Sequence, residues 1–220
     1  MRTAVLICSC HAQRGRRAAQ RETWIKQLTP DMPYFFYVGQ GSTELEADVV
    51  RLDVADGYND LPPKLHKAIS HAVNTLSFDW LIRLDDDSFL APERLPGLIA
   101  EMAGRGADYF GSDSCRAEGS GYATGGAGMV LSRKAAEILT QSPCPPPCPR
   151  SPDQDDGWAG FTLWRNGVKF YWTPRLHHDQ VFRPQPSNDI VTGHYVLPPE
   201  MQALYRRLYD AALQRHGDPE

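Results

Sequence analysis

Apolar positions along the chain follow two alternating patterns. Short β-branched or aromatic runs alternate with longer stretches at helical spacing, and this alternation predicts an α/β protein. Residues 3–9 read as a buried strand. Residues 16–28 read as a helix, with Ala18, Ala19, Trp24, Ile25 and Leu28 on its inner face. The aromatic run 34–38 predicts a strand stopped by Gly39 and Gly41, and 49–54 a further strand. Residues 63–76 predict a helix with proline in its first turn. Residues 79–84 form an apolar strand pattern that runs into Asp85, Asp86 and Asp87, followed by a helix over 92–102 and a strand over 108–111. The glycine-rich stretch 119–128 reads as too flexible for a helix. Beyond Met129, Ser132 is placed to cap a helix reaching residue 139, with Lys134 and Glu137 on its wet side.

The proline-rich stretch 142–152 reads as a loop, 155–166 as a helix with acids at its start, 168–172 as a strand and 189–196 as β-rich. Residues 199–216 predict a strongly amphipathic closing helix. Its stripe of Leu204, Tyr205, Leu208, Tyr209 and Leu213 suits either its own core or a partner. With no internal repeat, the chain reads as one domain spanning 1–220.

Composition narrows the class. Hydrophobic residues at 41% and charged residues at 23% are ordinary for a packed chain of 220 residues, which is long enough for a core without staples. A net charge of −4 argues against nucleic acid or an acidic membrane surface as a partner. No stretch reaches the roughly 18 to 20 apolar residues of a membrane span. The start lacks the longer apolar run of a secretory signal, and no Asn-x-Ser/Thr sequon occurs. Cysteines at 8, 10, 115, 144 and 148 are too sparse for a disulfide framework. These features together predict a cytoplasmic protein without an integral membrane segment.

The stretch 80–90 is the most informative. Three adjacent carboxylates at the end of a buried strand repel one another and call for a cation or for solvent. Ligands of α/β sheets sit beyond the carboxyl ends of strands. Asp85 and Asp87 project to one side of an extended chain, so both can reach one divalent cation. Asp155 and Asp156 begin a helix, where acids also simply serve the dipole. His194 is a late imidazole that suits manganese when carboxylates supply the other contacts. Cys144 and Cys148 lack the two further ligands of a zinc site, which leaves loop thiols or a local disulfide. Cys8 and Cys10 read as core or strand-end residues.

Six patches in one order resemble the inverting β-1,3-glycosyltransferases, the group holding Fringe, the core-1 galactosyltransferase and the β-1,3-galactosyl- and N-acetylglucosaminyltransferases. They are residues 16–24, ending Arg21, Glu22, Thr23, Trp24; Tyr58 with Asn59, Leu61 and Lys64; the acidic strand end 83–89; Gly125 to Ser132; Asp155 and Asp156 with Gly160; and His194 and Tyr195 with Glu200 and Met201. The chain is similar to a short bacterial-type member, without the anchor and stem of eukaryotic ones.

The resemblance implies a GT-A fold, an α/β layer with a mixed, mostly parallel central sheet flanked by helices. It implies a UDP-sugar donor, Mn2+, and a glycan or lipid-linked saccharide acceptor, which the cytoplasmic location expected from composition would place in the cytoplasm or at the periphery of the inner membrane. It implies Asp85 and Asp86 at the nucleotide side and Asp85, Asp87 and His194 around the metal. Asp156 would be the general base with Asp155 beside it, and Asp153 a minor rival. Arg17, Arg21 and Lys64 would contact the donor, and Gly125 and Gly126 would let the backbone approach the sugars. His177 and His178 are alternative metal ligands. Tyr122, Trp158, Trp164 and Trp172 are platform candidates for a sugar face, although such aromatics are more often core. Two other classes compete: a metal-dependent phosphohydrolase or nucleotidyltransferase using the Asp triplet, and a non-catalytic sugar-binding module.

Overall fold

The computed structural model describes residues 1–41, 46–112, 121–147, 154–178 and 183–210. β1 (Thr3–Cys8) is buried at every position. It lies parallel between β2 (Tyr34–Val38) and β4 (Trp80–Asp85), and helices cover both sheet faces. Strand alternation sends Val5 and Ile7 into one apolar cluster and Ala4, Leu6 and Cys8 into another. With β3 (Val49–Arg51), β6 (Tyr109–Gly111), β7 (Met129–Ser132) and β8 (Phe170–Trp172), these strands build a seven-stranded sheet of order β3-β2-β1-β4-β7-β6-β8. β7 runs antiparallel to β4 and β6, and the remaining pairs are parallel.

The first apolar cluster takes α1 (Arg14–Glu22), α3 (Leu95–Gly104) and α7 (Pro198–Tyr205), through Ala19, Leu98, Ile99, Met201 and Leu204. The second takes α2 (Leu61–Thr75), α5 (Arg133–Gln141) and α6 (Gln154–Arg165), through Leu65, Ile69, Ala136, Leu139 and Leu163. Burying each of the leucine, isoleucine and methionine side chains among these contributes about 1.5–3 kcal/mol before chain entropy is set against it. A second, small sheet of order β5-β10-β9 joins β5 (Phe89–Leu90), β9 (Leu176–His177) and β10 (Thr192–Gly193).

Several expectations change. The helix predicted over 16–28 breaks at Thr23, whose hydroxyl donates to the Ala19 carbonyl at 2.6 Å. Its backbone leaves the helical region at φ −120°, ψ −114°, and the chain continues as a 3-10 turn, Trp24–Gln27. The glycine stretch holds one helical turn after all, α4 (Gly125–Gly128), fully buried and pinned by Ser88 Oγ donating to the Gly126 carbonyl at 2.6 Å. Burial and that hydrogen bond supply the order that glycine lacks intrinsically. The β-rich stretch 189–196 contributes only the two residues of β10. Ser132 does cap α5, accepting from the Ala135 amide at 3.2 Å. The closing helix ends at Tyr205 and widens into a π turn, Arg206–Asp210. Leu204, Tyr205, Leu208 and Tyr209 pack against the chain's own core. Leu213, Cys115, Cys148, Asp153 and Gly119 lie outside the described residues. Among the described residues, no helix is long and apolar enough to cross a membrane.

Candidate active site

The acidic triplet sits at the carboxyl end of β4, and its backbone is fastened from three directions. The Asp86 amide donates to the Cys8 carbonyl at 2.9 Å, and the Val196 amide to the Asp87 carbonyl at 2.7 Å. From α1 and the turn after it, Gln20 Nε2 donates to the carbonyls of Asp85 (3.1 Å) and Ser88 (2.8 Å), and Trp24 Nε1 to that of Ser88 (3.2 Å). Gln20 and Trp24 are therefore buried for a positional reason.

The small sheet delivers His194. In β10, Gly193 pairs with Phe89 just past the triplet and with His177 on the other side. One ligand atom each of Asp85, Asp87 and His194 lies within 4.8 Å of the others. His194 Nε2 is 3.1 Å from Asp87 Oδ1 and 3.5 Å from Asp85 Oδ2. His178 stands behind it, Nδ1 to Nδ1 at 3.4 Å, and His177 contributes a carbonyl that accepts from the His194 amide at 3.2 Å. The Tyr195 ring stacks on that of His194 at 3.9 Å. Tyr195 adopts φ 56°, a left-handed conformation that costs a non-glycine residue about 1 kcal/mol or more.

Arg83 joins this cluster to the second pair of acids. It is buried, and its Nη2 is 3.0 Å from Asp85 Oδ1 and 2.8 Å from Asp155 Oδ2. Its Nε donates to the Tyr37 hydroxyl at 3.3 Å. Asp156 follows Asp155 in the first turn of α6, and its Oδ1 is buried with no hydrogen-bond partner among the described residues. A Cβ on Gly125 would overlap Arg83 Nη1 and stand 2.5 Å from both Arg83 Cζ and Asp156 Oδ1. A Cβ on Gly126 would overlap the His194 ring, 2.7 Å from Nδ1. Glycine is thus required at both positions by these side chains themselves.

The electrostatics follow from burial and pairing. Burial opposes ionisation of Asp85, yet Arg83 and His194 outweigh it and hold its carboxyl at about 2. Burial raises Asp86 to about 6 despite Ser9 and Arg16. Burial also works against charge on His194, but Asp85 and Asp87 lift it to about 9. Burial and then the neighbouring Asp155 push Asp156 up to about 8. Asp155 is raised by burial as well, with Arg83 opposing. Two carboxylates around an imidazole that would otherwise carry a proton make a place where positive charge is favoured. That donor set fits a divalent cation such as Mn2+.

A cleft of about 280 Å³ opens beside the triplet, lined by Cys8, Ser9, Cys10, Tyr58, Lys64 and Asp85 to Asp87 among others. Lys64 Nζ donates to the Ser9 carbonyl (2.6 Å) and Asp56 (2.7 Å). Arg17 and Arg21 do not line it. Arg17 is buried against Ser9, Cys10 and Glu46, and Arg21 pairs with Glu46 and Asp48. Arg16 does line it, and sequence reasoning missed that residue. Arg83 was also missed. Its signal was a lone cation inside an apolar strand, which must find acids. Of the aromatic candidates, Tyr122 is buried and Trp158 packs edge-on to His66, whereas Trp164 and Trp172 are exposed. Cys8 is buried and Cys144 exposed, both as free thiols.

Residues 11–195 match the family model described as Fringe-like. Over 116 residues the chain is 32% identical to a beta-1,3-glucosyltransferase of Mus musculus, covering 51% of this chain and 23% of that protein. Over 117 residues it is 26% identical to "Probable beta-1,3-galactosyltransferase 13" of Arabidopsis thaliana, covering 44% of this chain and 34% of that protein. The matched stretches thus span about a quarter to a third of these relatives' length. Among solved structures, the mannosyltransferase PcManGT from Pyrobaculum calidifontis, in complex with GDP-Man and Mn2+, superposes with a TM-score of 0.53 at 13% identity, covering 79% of this chain and 55% of that one. The glycosyltransferase GlyE of Streptococcus pneumoniae gives a TM-score of 0.53 at 11% identity, covering 98% and 63%. These likenesses show the fold, which is GT-A.

Proposed function

The chain belongs to the Fringe-like family, and from that premise we propose that it is an inverting glycosyltransferase. It moves a hexose or N-acetylhexosamine from a UDP-sugar to a hydroxyl of a glycan or lipid-linked saccharide, forming a β-1,3 linkage. The names of the mouse and Arabidopsis relatives support the linkage and a hexose. One observation carries the reading: Asp85, Asp87 and His194 converge within 4.8 Å, and Arg83 ties that cluster to Asp155, next to Asp156.

Asp85, Asp87 and His194 would hold Mn2+, which when bound offsets the charge that builds on a departing diphosphate. Asp156 is the general base. Its unpartnered Oδ1 accepts the proton of the acceptor hydroxyl, and burial gives it the raised affinity for protons that this task requires. The acceptor oxygen bonds to the anomeric carbon as that carbon's bond to the diphosphate oxygen breaks, and the electron pair leaves with UDP. No second carboxylate serves as nucleophile, so the displacement is single and an α-linked donor gives a β product, unlike the double displacement of retaining glycosidases. Arg83 holds Asp155 and Asp85 in place by ion pairs from both sides. Lys64 and Arg16 border the donor side of the cleft.

The test is turnover. Protein, Mn2+, a panel of UDP-sugars and saccharide acceptors should release UDP, and EDTA should abolish the release. No release with any donor and acceptor contradicts the reading. Hydrolysis of simple phosphate esters favours the phosphohydrolase class instead, and an unchanged biological role for Asp156→Asn favours a binding module.

A further inference from the structure

We propose that Arg16 makes cation binding and diphosphate binding interdependent in this site, an inference that rests on the function proposed above. Arg16 Nη1 is 3.1 Å from Asp86 Oδ1 and 3.0 Å from Asp87 Oδ2, and the side chain is 29% exposed at the cleft. Asp87 is therefore gripped from two sides, His194 at Oδ1 and Arg16 at Oδ2. The other basic residues nearby are committed elsewhere. Arg17 and Arg21 are held by Glu46 and Asp48, and Lys64 by Asp56. Among the described residues, the ion pairs of Arg16 are with the triplet itself.

A guanidinium does not give up its proton, so its charge is permanent. Placed against Asp87, it competes with a divalent cation for the same carboxylate. Its planar fork also matches phosphate oxygens. A diphosphate in the cleft therefore offers Arg16 a second partner and frees Asp87 for the cation. Linkage makes the effect reciprocal: each ligand raises the affinity of the other by the same factor. The signature is a pair of effects of opposite sign. Removing the charge strengthens the cation alone and weakens the nucleotide alone, whereas loss of a merely structural contact weakens both.

The experiment uses the full chain as wild type, Arg16→Gln and Arg16→Lys, with melting curves to verify folding. Mn2+ binding is read from the paramagnetic resonance of the free ion, and UDP binding by calorimetry, each with and without the other. In Arg16→Gln, Mn2+ alone should bind about fivefold tighter, the size of one partly exposed ion pair. UDP alone should bind about tenfold weaker, and the factor by which each helps the other should shrink. Arg16→Lys keeps the charge but loses the fork, so Mn2+ should bind as in wild type and UDP more weakly. If the first does not fold, unchanged UDP binding in this second variant still overturns the inference. Unchanged or weaker Mn2+ binding in Arg16→Gln, or unchanged UDP binding in Arg16→Lys, overturns the inference and leaves the proposed function standing. A wild-type chain that binds no Mn2+ overturns both.

Discussion

Gly125→Ala tests whether the two acidic clusters are built as one unit. The added methyl would overlap Arg83 Nη1 and sit 2.5 Å from Arg83 Cζ and Asp156 Oδ1. Contacts of this kind settle near 3.5 Å, so the neighbours must retreat by about 1–1.5 Å. Arg83 has little freedom to do so. It is buried and anchored by Asp85 at 3.0 Å and Asp155 at 2.8 Å. Overpacking of this kind costs about 1–3 kcal/mol. Breaking a buried ion pair outright costs about 3–5 kcal/mol, because it leaves an uncompensated charge. With the pair strained but not lost, the expected destabilisation is about 2–4 kcal/mol. UDP release should fall at least about a hundredfold, since a displacement of 1 Å suffices for that. Urea unfolding followed by tryptophan fluorescence reads the first quantity and donor turnover the second. Gly97→Ala is the control. Its Cβ meets nothing within 4 Å on an exposed face of α3, so it should be neutral or stabilising by up to about 1 kcal/mol. A Gly125→Ala protein with the wild-type midpoint and full turnover would show that the two acidic clusters are not built as one unit.

Burial lifts the folded-state affinity of Asp156 for its proton to about 8, from an ordinary 3.8. The folded state then holds that proton more tightly than the unfolded chain, so stability falls as pH rises between those values and stays lower above them. Without added metal, Asp156→Asn should accordingly melt higher than wild type at pH 9, while transfer drops by about 10²–10⁴. A variant that melts lower there is evidence against the buried base. In the Mn2+-loaded wild type, kcat/KM should climb with pH and then level off as Asp156, the proposed base, loses a proton that burial holds well above the ordinary carboxylate range. Burial pushes the Cys8 thiol up to about 11, so brief alkylation of the native protein should label Cys144 and spare Cys8, as peptide mass spectrometry would detect.

Much of the fold was legible where local pattern and tertiary environment agree. The aromatic run of β2 sits at its predicted bounds, and Ser132 caps α5 as its sequence position implies. The antiparallel insertion of β7 between β4 and β6 was not legible, because Met129 to Ser132 reads the same in either direction. Strands of two residues such as β5, β9 and β10 carry no period at all. At the site, the triplet and His194 stood out as residue types, but their convergence depends on the pairing of Gly193 with Phe89 across more than a hundred residues. The adjacent arginines show the limit most clearly. Sequence reasoning chose Arg17 and Arg21, yet helical phase turns those two toward Glu46 and Asp48 and leaves Arg16 facing the cleft.

The proposed mechanism requires Asp85, Asp87 and His194 to close around a cation beside a buried base. A crystal structure grown with Mn2+ and UDP, with anomalous differences collected at the manganese edge, would locate that cation. One strong peak is expected within about 2.0–2.4 Å of all three side chains, touching the diphosphate, with Asp156 facing the open side of the pocket. A peak placed elsewhere, or UDP bound with His194 still hydrogen-bonded to Asp87 and no ion between them, would contradict that mechanism.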